Sequence, residues 1–358
     1  MGSSASVEDD PAAVKARSKK IERELAKEKI ELQTLIKILL LGGSESGKTT
    51  IFKQMRILHM NGFTKADLIN YRYIIHSNLF ESLTQLLNAC QQFRIVHEPE
   101  IQECVRWFIK FRDDAAKAGD DLEVTPESVD KILKIWNSAP VQLAYQRRYE
   151  FTLHDSAQYF LSQVSRLAEA NYVPTHQDIL QCRFKTTGIS EITFTFKQLQ
   201  FRMVDVGGQK SERRKWIHCF DNTNLILFIL AASDYDSVDP EDQDKNRLRL
   251  NLDIYKTVVQ SEHFRKSSVV IFFNKRDILA EKLKVTPFSV CYPEYKGLDD
   301  PEECLKYLTE KFQAATPENK RFFAFHTTAT DTKNVQIVFG TAVAHIVDQN
   351  LKASGLQI

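Results

Sequence analysis

The pattern of apolar positions divides the chain into short buried runs separated by helical stretches. Ile36–Leu41 is apolar except at Lys37, which is typical of a strand buried on both faces. A glycine-rich turn follows, and Thr49–Met60 has the pattern of a helix. Later strand candidates are Glu191–Phe196, Gln200–Val206, Leu225–Ala231, Ser268–Phe273 and Phe322–His326. Helical patterns lie between them, and the last helix is predicted over Asp331–Leu351. This alternation predicts a six-stranded, mostly parallel sheet covered by helices on both faces.

A different pattern interrupts the chain after the first strand–helix unit. Between residues 63 and 177, apolar residues such as Leu79 and Leu83 recur at helical spacing, and runs of β-branched residues are absent. This segment, 63–177, is predicted to be an all-helical domain inserted into the α/β domain, which comprises 36–62 and 178–358. At 358 residues the chain is long enough for both.

Residues 1–35 precede the first predicted strand. Ala12–Leu35 lacks glycine and proline and is rich in Ala, Lys, Glu, Arg and Leu, which favours a helix. Apolar positions such as Val14 and Ile21 are sparse in this stretch. We therefore predict an amphipathic N-terminal helix that projects from the body and offers a narrow apolar stripe to a partner. A helix that is solvated all round is the alternative that the pattern leaves open.

Composition and charge argue against several classes of protein. The net charge of +1 disfavours a dedicated nucleic-acid binder, which would present a strongly basic face. The six cysteines form no C-x-x-C pair and have no nearby histidine to complete a zinc site, as expected for reduced thiols in the cytosol. The longest apolar run, Leu225–Ala232, is too short to cross a bilayer, and no secretory apolar segment follows Met1. These features predict an intracellular protein.

The glycine-rich turn carries the first indication of chemistry. Gly42–Thr49 reads GGSESGKT and satisfies G-x-x-x-x-G-K-[ST], with a buried strand before it and a helix after it. Backbone N–H groups in such a loop, together with the helix N-terminus, bind phosphate oxygens. Lys48 would reach the β- and γ-phosphates, and the Thr49 hydroxyl would bind Mg²⁺. The strand–helix context disfavours the alternative of an ordinary surface turn.

A second motif, Asn274-Lys-Arg-Asp277, follows the predicted strand Ser268–Phe273. An aspartate in this position can accept hydrogen bonds from N1–H and the N2 amino group of guanine, and adenine offers no such pair of donors. Asp277 therefore predicts GTP rather than ATP. Asn274 would support the edge of the purine, and the stem of Lys275 would lie against its face.

A third motif, Asp205-Val-Gly-Gly-Gln209, ends the predicted strand Gln200–Val206. Asp205 would hold Mg²⁺ through a water molecule. The N–H of Gly208 could approach the γ-phosphate because no side chain blocks it, and Gln209 would orient the attacking water. A simple turn after a strand is the alternative interpretation.

With these motifs, the chain resembles heterotrimeric G-protein alpha subunits almost from end to end. The most specific stretches are DVGGQKSERRKWIHCF at 205–220, KTTGI at 185–189, NKRD at 274–277 and ATDTKNV at 329–335. The resemblance implies an α/β fold: a P-loop GTPase (Ras-like) domain with a mostly parallel six-stranded sheet, plus an inserted all-α helical domain. It also implies that GTP and GDP are the ligands and Mg²⁺ the cofactor.

The resemblance further implies roles for individual residues. Arg183 matches the built-in arginine that stabilises charge on the transferring phosphate, and Glu45 matches a P-loop glutamate that can pair with it. Arg183 and Gln209 are therefore the expected catalytic residues. The expected Mg²⁺ ligands are Thr49, Thr186 and, through water, Asp205. The expected nucleotide contacts are Gly43, Ser44, Glu45, Ser46, Gly47, Lys48, Thr49, Thr50, Asp155, Ser156, Leu180, Arg183, Thr186, Asp205, Gly208, Asn274, Lys275, Asp277 and Ala329.

The N-terminus predicts attachment to a membrane. Met1–Ser6 fits the N-myristoylation pattern, with Gly2 as the acceptor. A single myristoyl chain binds membranes only marginally, so a second anchor is expected from nearby basic residues and a partner. The resemblance implies a Gβγ dimer, a seven-transmembrane receptor, a downstream effector and an RGS-type regulator as partners, with no nucleic acid. It also implies a location at the cytoplasmic face of the plasma membrane.

The sequence favours a signalling GTPase over two alternatives. A scaffold that binds GTP but barely hydrolyses it is disfavoured by Arg183 and Gln209, and an ATP-using P-loop kinase by Asp277. The P-loop reads GGSESGKTT where relatives usually have GAGESGKST. Because Ser44 replaces a glycine and Thr49 a serine, we expect altered nucleotide kinetics at this loop.

Overall fold

The computed structural model describes residues 35–239 and 241–353. Its strands are β1 (Leu35–Leu41), β2 (Ile189–Phe196), β3 (Leu199–Val206), β4 (Leu225–Ala231), β5 (Val238–Asp239), β6 (Asp242–Asn246), β7 (Ser268–Asn274) and β8 (Phe322–His326). Six of them form one sheet in the order β2-β3-β1-β4-β7-β8. All neighbouring strands in this sheet are parallel except β2 and β3, which are antiparallel. The predicted α/β fold with a mostly parallel six-stranded sheet is confirmed.

Helices cover the sheet and form the inserted segment. They are α1 (Lys48–His59), α2 (Lys65–Gln92), α3 (Pro99–Ala118), α4 (Pro126–Asn137), α5 (Ala139–Gln146), α6 (Ala157–Leu161), α7 (Val164–Leu167), α8 (His176–Gln181), α9 (Lys210–Arg213), α10 (Arg247–Val259), α11 (Arg276–Lys282), α12 (Pro301–Ala314) and α13 (Thr332–Ala353). Short 3₁₀ turns join several of these elements.

The sheet is apolar on both sides because helices pack on both faces. Every residue of β4 and β7 is buried, as their continuous apolar sequences predict. Successive residues of β1 alternate between the two cores. Leu39 and Leu41 pack in one of them, and Ile38 and Leu40 pack in the other.

Helices α2–α7, hereafter the helical insertion, have a separate core. Between α1 and β2 the chain forms helices and connecting segments without a strand. Leu79, Phe80 and Phe108 are among the buried residues of this core. The long helix α2 begins with a capping box, in which Thr64 and Asp67 each accept a hydrogen bond from the other's backbone N–H.

Two details differ from the sequence analysis. Leu35, predicted to end the N-terminal helix, is the first residue of β1 and is paired with Gln200 of β3, so that prediction is wrong at Leu35. The remainder of the predicted helix, residues 12–34, lies outside the described residues. The small hairpin of β5 and β6 was not predicted, because its second strand is the polar sequence DQDKN.

Within 35–239 and 241–353, no helix is both long enough and apolar enough to cross a bilayer. All six cysteines are free and buried.

Candidate functional site

The phosphate loop connects β1 to α1 at the carboxyl edge of the sheet. Gly42 and Gly47 both have positive φ angles, of 138° and 102°. A Cβ on Gly42 would lie 1.9 Å from the carbonyl oxygen of Ile229, and a Cβ on Gly47 would lie 2.1 Å from the amide nitrogen of Asn274. Both positions therefore require glycine, for conformation and for space.

The amine of Lys48 lies inside this loop. Its Nζ donates hydrogen bonds to the carbonyl oxygens of Gly42 at 3.0 Å and Gly43 at 2.5 Å. Lys48 is buried, and the loss of solvation lowers the pKa of its amine to about 8. Asp205 opposes this shift, because a negative charge nearby favours the ammonium form. Phosphate oxygens brought to this loop would stabilise the same charge.

Three side-chain oxygens meet beside Lys48. Thr49 Oγ1 lies 2.6 Å from Thr186 Oγ1 and donates a hydrogen bond to Asp205 Oδ2 at 2.7 Å. Asp205 Oδ1 is buried and makes no hydrogen bond, and burial raises the pKa of this carboxyl to about 6. Mg²⁺ prefers oxygen ligands and retains several waters. The unsatisfied carboxylate oxygen beside two hydroxyls fits such a cation.

The described residues hold no cluster of three or more His, Cys, Asp or Glu side chains that could bind a metal. A cation at this position would therefore depend on the two threonine hydroxyls as well as on Asp205.

The loops after β7 and β8 meet at the other end of the cleft. Asn274 donates from Nδ2 to the carbonyl oxygen of Ser46 at 2.9 Å and accepts from the N–H of Ala329 at 2.8 Å. Asn274 thus joins the phosphate loop to the loops that follow β7 and β8. Asp277 makes a long contact, 3.5 Å, with the hydroxyl of Thr328 and stands at the cleft wall. Its carboxylate is placed where it could accept from a guanine base.

A cluster of charges lies where α8 leads into β2. Nη2 of Arg183 is 2.6 Å from Glu45 Oε1, and Nη1 of Arg247 is 3.5 Å from Glu45 Oε2. Burial alone would raise the pKa of Glu45, but Arg247 and Arg183 outweigh it and hold the pKa below its ordinary value. Two guanidinium groups therefore flank the outer side of the phosphate loop.

The comparisons with known proteins agree with this geometry. A family model described as the G-protein alpha subunit matches residues 15–347. The chain belongs to this family.

Three nematode relatives illustrate the similarity. Guanine nucleotide-binding protein alpha-6 subunit of Caenorhabditis elegans is 48% identical over 344 residues, which cover 95% of this chain and 94% of that protein. The alpha-6 subunit of Caenorhabditis briggsae is 47% identical over 345 residues, covering 95% and 93%. The G(o) subunit alpha of C. elegans is 40% identical over 341 residues, covering 95% and 96%. Alpha subunits of this family are GTPases that bind GTP and GDP, and this chain is accordingly a guanine-nucleotide-binding signalling subunit with GTPase activity.

Most of the residues expected to contact nucleotide in this alpha subunit line a single cleft of about 300 Å³. Those in the cleft wall are Ser44, Glu45, Ser46, Gly47, Lys48, Thr49, Thr50, Asp155, Ser156, Leu180, Arg183, Thr186, Gly208, Asn274, Lys275, Asp277 and Ala329. The expected catalytic residue Gln209 also lines this cleft. Gly43 and Asp205 lie behind the wall. The N–H of Gly43 is bonded to Asn251 Oδ1 at 2.8 Å, and Asp205 is 1% exposed. Gly2 lies outside the described residues.

The segment after β3 closes the phosphate end of this cleft. Gln209 lies at the cleft wall and precedes the short helix α9. Arg213 Nε donates to the carbonyl oxygen of Gly208 at 3.0 Å, and the indole of Trp216 donates to that of Gly207 at 2.8 Å. Glu212 Oε2 accepts from the N–H of Gly188 at 2.9 Å, linking this segment to the start of β2.

Several residues that hold the site together were missed by the sequence analysis. Arg247 donates to the carbonyl oxygen of Ser44 at 2.9 Å, and Asn251 holds Gly43, so α10 supports the phosphate loop from behind. Lys53 and Asn78 contact the segment that leads to Arg183. These are single polar residues within helical sequences, and no spacing in one sequence distinguishes them from solvated positions.

Proposed function

We propose that this alpha subunit couples a seven-transmembrane receptor to a downstream effector and is timed by its own slow hydrolysis of GTP. The supporting observation is the contact between Arg183 and Glu45, which brings a guanidinium of the chain itself to the phosphate loop. In alpha subunits that carry their arginine in cis, turnover is about 10⁻² s⁻¹. Such turnover suits a timer better than a metabolic enzyme, for which about 10 s⁻¹ is typical.

In the proposed mechanism the protein positions groups and neutralises charge. Lys48 would neutralise charge on the β- and γ-phosphates, and Gln209 would orient the attacking water. Arg183 would exchange its contact with Glu45 for the transferring phosphoryl group. When bound, Mg²⁺ would be held by Thr49, Thr186 and, through water, Asp205, and would neutralise charge on the phosphate oxygens.

The test is single-turnover hydrolysis of preloaded GTP. Arg183→Cys and Gln209→Leu should each slow the rate, by about 10³-fold or more for the arginine. Arg112→Cys is the matched control, because Arg112 pairs with Asp113 on the helical insertion and should leave the rate unchanged. Unchanged hydrolysis in both cleft variants would show that the catalytic assignment is wrong. Hydrolysis too slow to measure in the wild type would favour the GTP-binding scaffold.

The base-specific role of Asp277 has its own test. Asp277→Asn replaces one of the two carboxylate oxygens by an NH₂ donor, so the side chain can no longer accept from both the N1–H and the N2 amino group of guanine, and binding of GDP should weaken by about 100-fold or more. Xanthine carries an oxygen in place of that amino group, so the variant should bind xanthine nucleotides in preference to guanine nucleotides. If the wild-type protein bound ATP competitively with GTP, the kinase interpretation would replace this one.

The proposed partners include a Gβγ dimer and an RGS-type regulator as well as the receptor and effector. Phe184, Ile189 and Ile217 are large apolar side chains exposed around the segment after β3 and the start of β2. A partner that reads the nucleotide state could cover them. We expect Gβγ to bind the GDP form and an effector the GTPγS form, and receptor-stimulated GTPγS exchange with pull-down of each form would test this.

We also propose that the subunit acts at the cytoplasmic face of the plasma membrane, attached through a myristoyl group on Gly2 and through Gβγ. The support is the N-terminal sequence pattern and the membership of the family. Gly2→Ala should abolish incorporation of labelled myristate and move the protein from the membrane to the soluble fraction.

A further inference from the structure

Asn78 of α2 holds the backbone of Arg183. The N–H of Arg183 donates to Asn78 Oδ1 at 2.5 Å, and Asn78 Nδ2 donates to the carbonyl oxygen of Arg183 at 3.0 Å. Asn78 is only 5% exposed although its side chain is polar. Its contacts are with the peptide groups of the arginine, whereas the guanidinium contacts Glu45. The helical insertion thus fixes the main chain of Arg183, and the phosphate loop holds its head group.

The segment that leads to Arg183 is also held by the α/β domain. Lys53 of α1 donates from Nζ to the carbonyl oxygens of Ile179 at 2.9 Å and Cys182 at 3.0 Å. Lys53 is 3% exposed. The chain that enters Arg183 is therefore fixed by one buried side chain from each domain. Lys53 and the residues that it contacts lie in the α/β domain or in the segment that joins this domain to the helical insertion. The contact from Asn78, in contrast, requires the helical insertion to be in place.

We propose that Asn78 is a positioning residue that makes GTP hydrolysis depend on the docked position of the helical insertion. This inference rests on the proposed role of Arg183 in catalysis. The guanidinium must leave Glu45 and reach a phosphoryl group, and the range of positions it can occupy is set by where its Cα is held. With the Asn78 contacts made, the backbone of Arg183 stays fixed while only the side chain moves.

The chemistry of asparagine suits this task. Its amide offers a donor and an acceptor at once, so one side chain satisfies both the N–H and the C=O of a single residue. Alanine leaves both groups of Arg183 without this partner. Since a displacement of about 1 Å at a catalytic group can cost on the order of 100-fold in rate, loss of the contact should slow hydrolysis while nucleotide binding is largely retained.

The first measurement is single-turnover hydrolysis with Asn78→Ala. We expect the rate to fall roughly 10- to 100-fold, with GTPγS affinity within about threefold of the wild type. Asn88→Ala is the matched control: it makes the same change on the same helix, at an exposed position ten residues away, and should leave the rate unchanged. Asn78→Asp preserves the volume but places a carboxylate oxygen against the carbonyl oxygen of Arg183 in a buried site, so it should also slow hydrolysis.

A double-mutant cycle with Arg183→Cys separates positioning from a general structural role. If Asn78 acts through the arginine, Asn78→Ala should slow hydrolysis in the wild-type background but leave the rate of Arg183→Cys unchanged. An equal slowing in both backgrounds, or no slowing in either, overturns the inference. If Arg183→Cys itself hydrolysed GTP at the wild-type rate, the catalytic role of Arg183 in the proposed function would be wrong. This result differs from those that overturn the positioning role of Asn78, so the two failures are distinguishable.

Hydrogen exchange gives a readout that does not depend on hydrolysis. The N–H of Arg183 is bonded to Asn78, so in the GDP-bound protein it should exchange at least tenfold faster in Asn78→Ala than in the wild type or in Asn88→Ala. Unchanged protection of this amide in Asn78→Ala would show that the asparagine does not hold the segment in solution.

Discussion

Gly208 is the residue at which the segment after β3 meets the phosphate loop. A Cβ at this position would lie 2.4 Å from the carbonyl oxygen of Gly43 and 2.4 Å from Nζ of Lys48. Because one of these obstacles is backbone, Gly208→Ala should prevent the segment from closing on the loop. We expect GDP affinity within about threefold of the wild type, and loss of the tryptophan fluorescence change on adding GTPγS. Trp216 should report this change because its indole is bonded to Gly207.

The matched control for that prediction is Gly340→Ala on α13. A Cβ there would meet its nearest neighbour, Phe196, at 3.8 Å, which is an ordinary contact. This variant should retain the full fluorescence change. A full change in Gly208→Ala as well would mean that the two segments do not approach each other on activation.

The residues that face the cleft were more predictable from the sequence than the residues that lie behind its wall. Lys48 and Asp277 stand in motifs in which the residue types and their spacing follow from phosphate and guanine chemistry. Asn78 and Arg247 act by holding other residues in place, and many polar side chains on a helix surface have the same sequence context. Only the packing of α2 and α10 against the site shows what they contact.

Helix α10 supports the phosphate loop, so the stability of this helix should affect the shape of the loop. Asn246 caps this helix by accepting from the N–H groups of Leu248 at 2.9 Å and Arg249 at 3.1 Å. The first and second turns then supply Arg247 and Asn251 to the loop. Asn246→Ala should therefore destabilise the protein by about 1 kcal/mol and accelerate GDP release, measured by calorimetry and by release of a fluorescent GDP analogue.

Asn246→Asp is the control for this prediction, because it keeps an acceptor for both N–H groups and loses only the donor to the carbonyl oxygen of Tyr235. It should be less destabilised than Asn246→Ala. If both variants released GDP at the wild-type rate, the helix would not support the loop.

The strands β4 and β7 were predictable because their sequences, LILFILA and SVVIFFN, are almost entirely apolar. β4 agrees with its predicted bounds, and β7 extends one residue further, to Asn274. The antiparallel pairing of β2 with β3 and the hairpin of β5 and β6 were not specified by the sequence, since both depend on which strand becomes the neighbour. Strand pairing is set by tertiary contacts that a single sequence pattern does not encode.

Two lysines of the α/β domain contact the helical insertion across the cleft. Lys275 Nζ lies 2.7 Å from Asp155 Oδ2, and Lys282 Nζ lies 5.2 Å from the centre of the Tyr149 ring. Asp155 and Tyr149 belong to the helical insertion side, and both lysines belong to the guanine side of the α/β domain. Each of these contacts would break if the domains separated, so we expect them to oppose release of a nucleotide bound in the cleft.

Asp155→Asn tests this directly. The side chain of Asp155 is 50% exposed, so the pair is worth at most about 1 kcal/mol, and GDP release should accelerate up to about fivefold. Burial would raise the pKa of Asp155, but Lys275 outweighs it and holds the pKa below its ordinary value. A carboxyl shifted in this direction loses its contribution only as pH falls through that lowered pKa. The acceleration should therefore be the same at every pH between about 6 and 8.

The effect of ionic strength on GDP release and a control variant at a second aspartate complete the test. Raising the ionic strength from about 0.05 to 0.5 M should accelerate GDP release from the wild type, because screening weakens the pair, and should have less effect on Asp155→Asn. Asp113→Asn is the matched control: Asp113 is 48% exposed and pairs with Arg112 within the helical insertion. Its loss breaks an ion pair of similar exposure without affecting the contact between the domains, so release should stay at the wild-type rate. Equal acceleration in both variants would indicate that stability of the insertion, rather than its contact with Lys275, controls release.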